Sequence, residues 1–314
     1  MLQAVGAFLV GNLTLMRSIS TLSSASHRFP TLGFILDHKR TLSAAIVSIY
    51  LSYGAGMVMN DIVDIDIDKK YAHKKESDSH NDVQLKSLHI NTPQAKSKRP
   101  IASGKITPKA AWTYCSVLSM VSLILASAIS NQYTIWTSGN LFLMISYALF
   151  FQKVLVVKNA ICGWLAISPL IGAWIAFANM SFGNALKTHA ATVQLWSLAK
   201  VGFLMHISRE IVKDIEDIEL DRGQKLTLPL VFGEKVAHAI AYGIVFVTFA
   251  LNIFTPTYRH IFSSCIPVYP LSLAVTLPMC IRASMLDISV GQKLLKKSIY
   301  ILLVGMIGAL LLPN

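Results

Sequence analysis

Residues 60–68 read NDIVDIDID, four aspartates in nine positions directly after an apolar run. The 314-residue chain holds only 16 Asp and Glu, so much of its acid sits in this one stretch. The stretch has an echo. KDIEDIELD at 213–221 stands at the exit of a second apolar run, and Asp61, Asp64 and Asp68 match Asp214, Asp217 and Asp221 at a constant offset of 153. On a helix, positions i, i+3 and i+7 fall within about 60° of one another at 100° per residue. Each trio therefore predicts one carboxylate stripe, while Asp66, Glu216 and Glu219 fall off it and are expected to be solvated.

Crowded carboxylates repel one another unless a cation sits among them. Mg²⁺ suits hard oxygen ligands and keeps positions for waters and phosphate oxygens. Two stripes bracketing a diphosphate would hold one ion each, two in all, and neutralise a leaving group. Two solvated helix ends are the plainer alternative, but they leave the repeated spacing unexplained. An EF-hand over Asp64–Asp68 fails, because Lys69 and Lys75 take the glycine and bidentate glutamate positions.

Outside the two motifs the chain is apolar. Hydrophobic residues make up 54% and charged ones 14%, with mean hydropathy +0.54, where a soluble domain carries about a quarter charged residues. Runs long enough to cross a bilayer stand near 2–16, 42–59, 109–130, 133–151, 159–180, 193–211, 236–255, 264–283 and 297–312. Lipid leaves helices or closed barrels as the only spanning structures, and these runs are too long and too poorly alternating for barrel strands. The expected class is all-α, polytopic, with about nine transmembrane helices in a single domain over 1–314.

The net charge of +12 does not point to nucleic acid. Most Lys and Arg fall in the loops after even-numbered spans, which places those loops, both aspartate motifs included, on the cytoplasm-like side. Cys115, Cys162, Cys265 and Cys280 are scattered through the spans without a C-x-x-C and read as apolar fillers. MRSISTLSSASHRF at 16–29 is Ser- and Arg-rich and acid-free, as in an organelle transit peptide. Residues 2–16 read equally as part of a first span, the reading preferred here.

No acidic residue occurs between Asp82 and Arg209. That window holds Lys96, Lys98, Arg99, Lys105 and Lys109 before the third span, then Lys153 and Lys158 as the only charges of a short loop. These loops share a face with both motifs, so Arg99 and the paired lysines are placed to grip diphosphate oxygens. Glu210 stands four residues before Asp214, on the same stripe and one turn deeper. Its counterpart in the first copy is Met57. An acid at that depth is costly unless paired or functional, so Glu210 is either a structural partner of Arg209 or borders the reacting centre.

The motif N-D-x-x-D-x-x-x-D at 60–68, KRPIASGKIT at 98–107, KN at 158–159 and REIVKDIEDIELDRGQKLTLPLVFGEK at 209–235 together resemble the UbiA superfamily of intramembrane prenyltransferases. The wording is most similar to the branch containing digeranylgeranylglyceryl phosphate and chlorophyll synthases. The resemblance implies nine helices around a lipid-open central cavity capped by two Asp-rich loops. It implies metal ligands at Asn60, Asp61, Asp64, Asp68, Asp214, Asp217 and Asp221, and diphosphate contacts at Arg99, Lys153 and Lys158. The implied substrates are a prenyl diphosphate and a lipid or aromatic acceptor, with membrane lipids as surroundings. About thirty residues separate Asp68 from Arg99, more than the family usually has, so the polar interval 72–96 reads as an insertion.

The implied reaction is alkyl transfer: the allylic C–O bond ionises and a nucleophile captures the cation. A terpene cyclase on the same scaffold would quench the cation internally. A transporter is the rival from another class, since repeats and intramembrane charges mark transporters too. Its charges belong at mid-membrane, whereas both clusters here lie at span ends on one side.

Overall fold

The structure, a computed structural model, describes residues 38–66, 68–69, 99–177, 189–254 and 268–311, with residues 6, 7, 9, 10 and 13 near the N-terminus. The insertion expected at 72–96, the Ser-rich stretch at 16–29 and most of the expected first span lie outside the described residues.

Eight long helices follow one another among the described residues: α1 Lys39–Val63, α2 Pro108–Ser127, α3 Asn131–Leu149, α4 Val157–Phe177, α5 His189–Glu216, α6 Glu234–Phe254, α7 Val268–Met285 and α8 Ile288–Leu311. They coincide with the second to ninth expected spans. The described N-terminal residues are helical too, and Val10 and Leu13 pack into the core. By length and composition α1, α2, α4, α6 and α7 are able to cross a bilayer. The other three are diluted by polar residues: Arg209 to Asp214 in α5, Lys293, Lys296 and Lys297 in α8, and several Asn, Ser and Thr in α3. The chain is an all-α, multi-pass membrane protein.

Local sequence sets the helix starts. Thr107 caps α2 by accepting from the Ala110 N–H at 3.2 Å, with Pro108 at the first position, where a missing N–H costs nothing. Ser130 caps α3 in the same way through Tyr133. Inside α4, Pro169 removes the N–H that would bond the carbonyl of Leu165. The hydroxyl of Tyr53 on α1 donates to that carbonyl instead, and Trp136 of α3 donates to the Ser168 carbonyl at 3.2 Å. The proline thus becomes a three-helix junction, with its freed backbone satisfied in a setting without water.

The helices form two sets. α1 packs on α2, α3 and α4; α5 packs on α6 and α8, with α7 between these two; α4 and α5 join the sets. α1 and α5 therefore each lead a group of four and each end in one copy of the aspartate motif. Three intervening spans separate them, so both run the same way and deliver their motifs to one side.

Lipid tails are as apolar as leucine, so helix association rests on close packing and interhelical hydrogen bonds. The α1–α2 contact is built on serines. Ser48 Oγ lies 3.0 Å from the Ser122 carbonyl, Ser122 Oγ 2.9 Å from the Ser48 carbonyl, and Ser52 Oγ 2.6 Å from Ser122 Oγ. In α7–α8, Gly305 faces Ser272 so closely that an added Cβ would lie 2.3 Å from its hydroxyl. Ser122→Leu should wedge α1 from α2 and lower stability by about 1–3 kcal/mol, whereas Ser122→Ala should lose only about 0.6 kcal/mol per bond. Thermal melting in detergent checks the order; equal melting points for the two variants would show that the serines do not hold this contact.

Candidate active site

Both aspartate motifs break their helices at the same register. α1 ends at Val63 with Asp64 as its C-cap, at φ −83° and ψ 2°. α5 ends at Glu216, and Asp217 opens the turn Ile218–Asp221 at φ −93° and ψ 10°. The hydrogen bonds match across the offset of 153. Asp64 N–H bonds the Asn60 carbonyl at 2.9 Å as Asp217 bonds Lys213 at 2.9 Å, and Asp68 bonds Asp64 at 2.8 Å as Asp221 bonds Asp217 at 2.9 Å. Each motif is one helix with a kink at its middle aspartate, so the repeat extends to the backbone.

The two kinked ends face each other across a polar cavity of about 300 Å³. Its wall carries five carboxylates, Asp64, Glu210, Asp214, Asp217 and Asp221, and four cations, Arg99, Lys158, Lys213 and Lys225. Asn60, Tyr147 and Gln152 complete it. Of the off-stripe acids, Asp66 and Glu219 are exposed as expected, while Glu216 is half-buried.

Each motif is held by a base. Arg99 Nη1 lies 2.9 Å from Asp61 Oδ1 and 3.0 Å from Asp68 Oδ2, straddling both ends of the first motif. Lys158 Nζ lies 2.5 Å from Asp214 Oδ1, with both side chains buried. Lys225 stands 3.9 Å from Asp221, and Arg209 lies 2.6 Å from Glu210. Glu210 thus has the structural partner foreseen for it and lines the cavity as well.

The approach to Lys158 is strained. Val156 has φ +65°, a region that β-branched residues rarely enter. Val157 N–H closes a tight turn onto the Leu155 carbonyl at 2.7 Å, and α4 begins there, aiming Lys158 inward. Lys153 behaves differently from its expected partnership with Lys158. It ends the short turn Phe151–Lys153 with its side chain exposed, and the neighbouring Gln152 lines the cavity. Its carbonyl instead accepts from Leu226 N–H at 3.3 Å, tying the two loops together.

Several buried oxygens on this wall have no hydrogen-bond partner: Asn60 Oδ1, Asp64 Oδ1 and Asp214 Oδ2. Buried polar groups are ordinarily paired, so orphaned oxygens on facing motifs suit a hard cation. Among the described residues no three ligating side chains converge into a closed cage. Mg²⁺ held there would take the rest of its coordination from waters and phosphate oxygens.

Tyr147, Gln152, Lys213 and Lys225 were not foreseen from the sequence. The repeat carried a signal for Lys213, which aligns with Asn60, and Lys225 stands one turn beyond Asp221. Tyr147 and Gln152 had none, being a tyrosine within an apolar run and a glutamine at its exit.

The profile of the UbiA prenyltransferase family matches residues 19–309. The digeranylgeranylglyceryl phosphate synthase of Methanosphaera stadtmanae is 32% identical over 238 residues, covering 72% of this chain and 74% of the relative. That of Natronomonas pharaonis is 30% identical over 213 residues, covering 68% of this chain and 64% of the relative, so the chain spans just under two thirds of that protein's length. The apo structure of a UbiA homologue from Aeropyrum pernix K1 superposes with a TM-score of 0.66 at 17% identity, covering 98% of this chain and 94% of that one. A UbiA homologue from Archaeoglobus fulgidus bound to DMAPP and Mg²⁺ superposes with a TM-score of 0.57 at 18% identity, covering 98% and 96%. At such identities the structural likeness is one of fold.

Lys158→Gln should leave Asp214 without its counter-charge and destabilise the protein by about 3 kcal/mol, the low end for breaking a buried pair, since one side faces the cavity. The double variant with Asp214→Asn should recover part of the loss. Lys153→Gln should be near neutral. Melting curves of the three proteins decide; equal losses for Lys158→Gln and Lys153→Gln would contradict the pairing.

Proposed function

We propose, on the premise that the chain belongs to the UbiA prenyltransferase family, that it moves a prenyl group from a polyprenyl diphosphate to a lipid acceptor, with Mg²⁺ as its metal. Geranylgeranyl diphosphate and geranylgeranylglyceryl phosphate are the pair best supported, since the relatives above are digeranylgeranylglyceryl phosphate synthases. An aromatic acceptor is the alternative. The observation that carries the reading is the meeting of two kinked aspartate motifs on one polar cavity at the ends of apolar spans. By the distribution of basic residues, that end faces the cytoplasm-like side.

Bound Mg²⁺ supplies charge withdrawal from the diphosphate, which lets it depart with the electron pair of the allylic C–O bond. Asn60, Asp64, Asp214, Asp217 and Asp221, which line the cavity, would hold the metal, with Asp61 and Asp68 beside them on Arg99. Arg99, Lys158 and Lys225, which line the same cavity, are the cations placed to bind diphosphate oxygens. Lys153 contributes through its carbonyl, by fixing the loop that carries Lys225.

The prenyl tail needs apolar room. A cavity of about 580 Å³ lies between α3 and α4, walled by Trp136, Trp164 and Trp174. Ile135 on its rim is 73% exposed, toward lipid. A smaller space of about 20 Å³ lined by Tyr53, Asn140 and Met144 shares Trp136 and Asn140 with it, and Met144 stands one turn before Tyr147 on α3. This is the route assigned to the tail.

Purified protein in lipid nanodiscs, given labelled prenyl diphosphates with hydroxyl-lipid or aromatic acceptors, should form a prenylated product only with Mg²⁺. Asp64→Ala and Asp217→Ala should each lose roughly 100-fold or more in rate, while the exposed Asp66→Ala stays close to wild type. Full activity in excess EDTA would sink the reading, and product formed without any acceptor would favour a cyclase. A Cβ at Gly139 meets open space, so Gly139→Phe should fill the α3–α4 chamber and shift preference to shorter prenyl diphosphates. An unchanged length profile would move the tail elsewhere.

A further inference from the structure

By spacing alone the two motifs have equal claims on a divalent ion, but their counter-charges differ. The three aspartates of the first motif share Arg99, which pairs with Asp61 and Asp68. The second half sets four carboxylates together, Glu210, Asp214, Asp217 and Asp221. Four cations stand with them: Lys158, Lys213 and Lys225 on the cavity wall, and Arg209 on Glu210. Negative charge in excess of positive therefore lies with the first motif, and the second is already close to balance.

Lys158 is the most firmly fixed of these cations. Its Nζ lies 2.5 Å from Asp214 Oδ1, and the two residues are only 7% and 3% exposed. Arg99 and Asp61 are each about a third exposed, so that pair opens to water at little cost. Opening the Lys158–Asp214 pair would strand a buried charge, which keeps it closed. The left-handed Val156 and the tight Val157 turn set the ammonium in position, whereas Lys225 stands back from Asp221 at 3.9 Å. An ammonium is a compact point charge with three donors. Asp214 takes one of them, and the side chain lines the cavity, where a diphosphate oxygen would meet the others. A cation held by a carboxylate on one side and open to phosphate on the other has the connections of a bound metal ion. Asn60 Oδ1, Asp64 Oδ1 and Asp214 Oδ2 remain without hydrogen-bond partners. Asp214 thus offers a metal one oxygen, its other being committed to Lys158.

We propose that Lys158 is a built-in substitute for one of the two cations that a repeated motif would otherwise bind. Its ammonium bridges Asp214 and the diphosphate, and the cavity takes a single Mg²⁺, on Asn60, Asp64 and the second oxygen of Asp214. This rests on the metal-dependent reading above and departs from the ion on each motif that the repeat suggests. The asymmetry of the halves then has a use: the first motif keeps its excess negative charge for the metal, and the second carries its own positive charge.

The test counts ions on the full chain in nanodiscs, with Mn²⁺ as an oxygen-seeking, octahedral replacement for Mg²⁺ and a non-ionising prenyl thiolodiphosphate. Wild type should retain a single Mn²⁺ per chain in equilibrium dialysis and show the electron-spin-resonance spectrum of an isolated ion. Lys158→Met keeps the length of the side chain and removes its charge. It should take up a second Mn²⁺, show the dipolar broadening of a close pair, and gain more in melting temperature from added Mn²⁺ than wild type does. Its affinity for the thiolodiphosphate should fall about 10-fold or more at limiting Mn²⁺, the scale of a charged hydrogen bond, and recover in excess Mn²⁺. A second ion in wild type, or a single ion in folded Lys158→Met, would overturn the assignment. Where the variant fails to fold, the wild-type count decides alone. No bound ion in wild type would refute the Mg²⁺ reading along with this one, whereas two ions in wild type would refute this inference and leave that reading standing. A single ion without transfer to any acceptor would support the built-in cation and refute prenyl transfer.

Discussion

Carboxylate charge held at the edge of a hydrocarbon layer is the constraint around which the rest of this molecule is arranged. A carboxylate that loses water without gaining a partner costs several kcal/mol. Yet Asp68, Asp214, Asp217 and Asp221 are all buried, together with Glu210. The protein meets that cost with cations brought from four different segments. Arg99 comes from the loop before α2, Lys158 from the start of α4, Lys213 from within the second motif, and Lys225 from the turn beyond it. The loop bond from Leu226 to Lys153 and the strained turn at Val156 make sense as means of holding those cations in place.

The two halves solve the same problem differently. Their backbones match down to the kinks at Asp64 and Asp217, but the second half carries Lys213 and Glu210 where the first has Asn60 and Met57. The first motif therefore borrows its counter-charge from Arg99, while the second supplies part of its own. That asymmetry gives the cavity a direction. Basic and acidic side chains extend deeper along α5 than along α1, so the charged lining of the cavity reaches furthest on the α5 side.

Much of this was legible before any coordinates. The spans, the pairing of the motifs on one side and the exposure of Asp66 follow from hydropathy and helical periodicity, which are local properties of the chain. Arg99 was legible as a cation on the right face. Its straddling of Asp61 and Asp68 was not, because that depends on how a loop returns across α1. Lys153 and Lys158 looked equivalent in sequence, and a single short turn separates them into an exposed side chain and a buried one. Tyr147 and the chamber between α3 and α4 are products of helix packing, for which a sequence of apolar residues carries no readable sign.

The Trp-walled space between α3 and α4 meets the bilayer sideways, at Ile135, away from the aqueous end of the cavity. A ligand that enters there arrives by diffusion in two dimensions. What governs its occupancy is its mole fraction among membrane lipids, and molarity in the surrounding buffer has no bearing. Blending in inert phospholipid starves such a site as surely as withholding substrate, while diluting the whole suspension leaves its supply of chains untouched. On the prenyl transfer proposed above, the two leaving species would also separate by phase, the diphosphate to water and the lengthened lipid to the bilayer, so neither would have to cross the other's medium to clear the site.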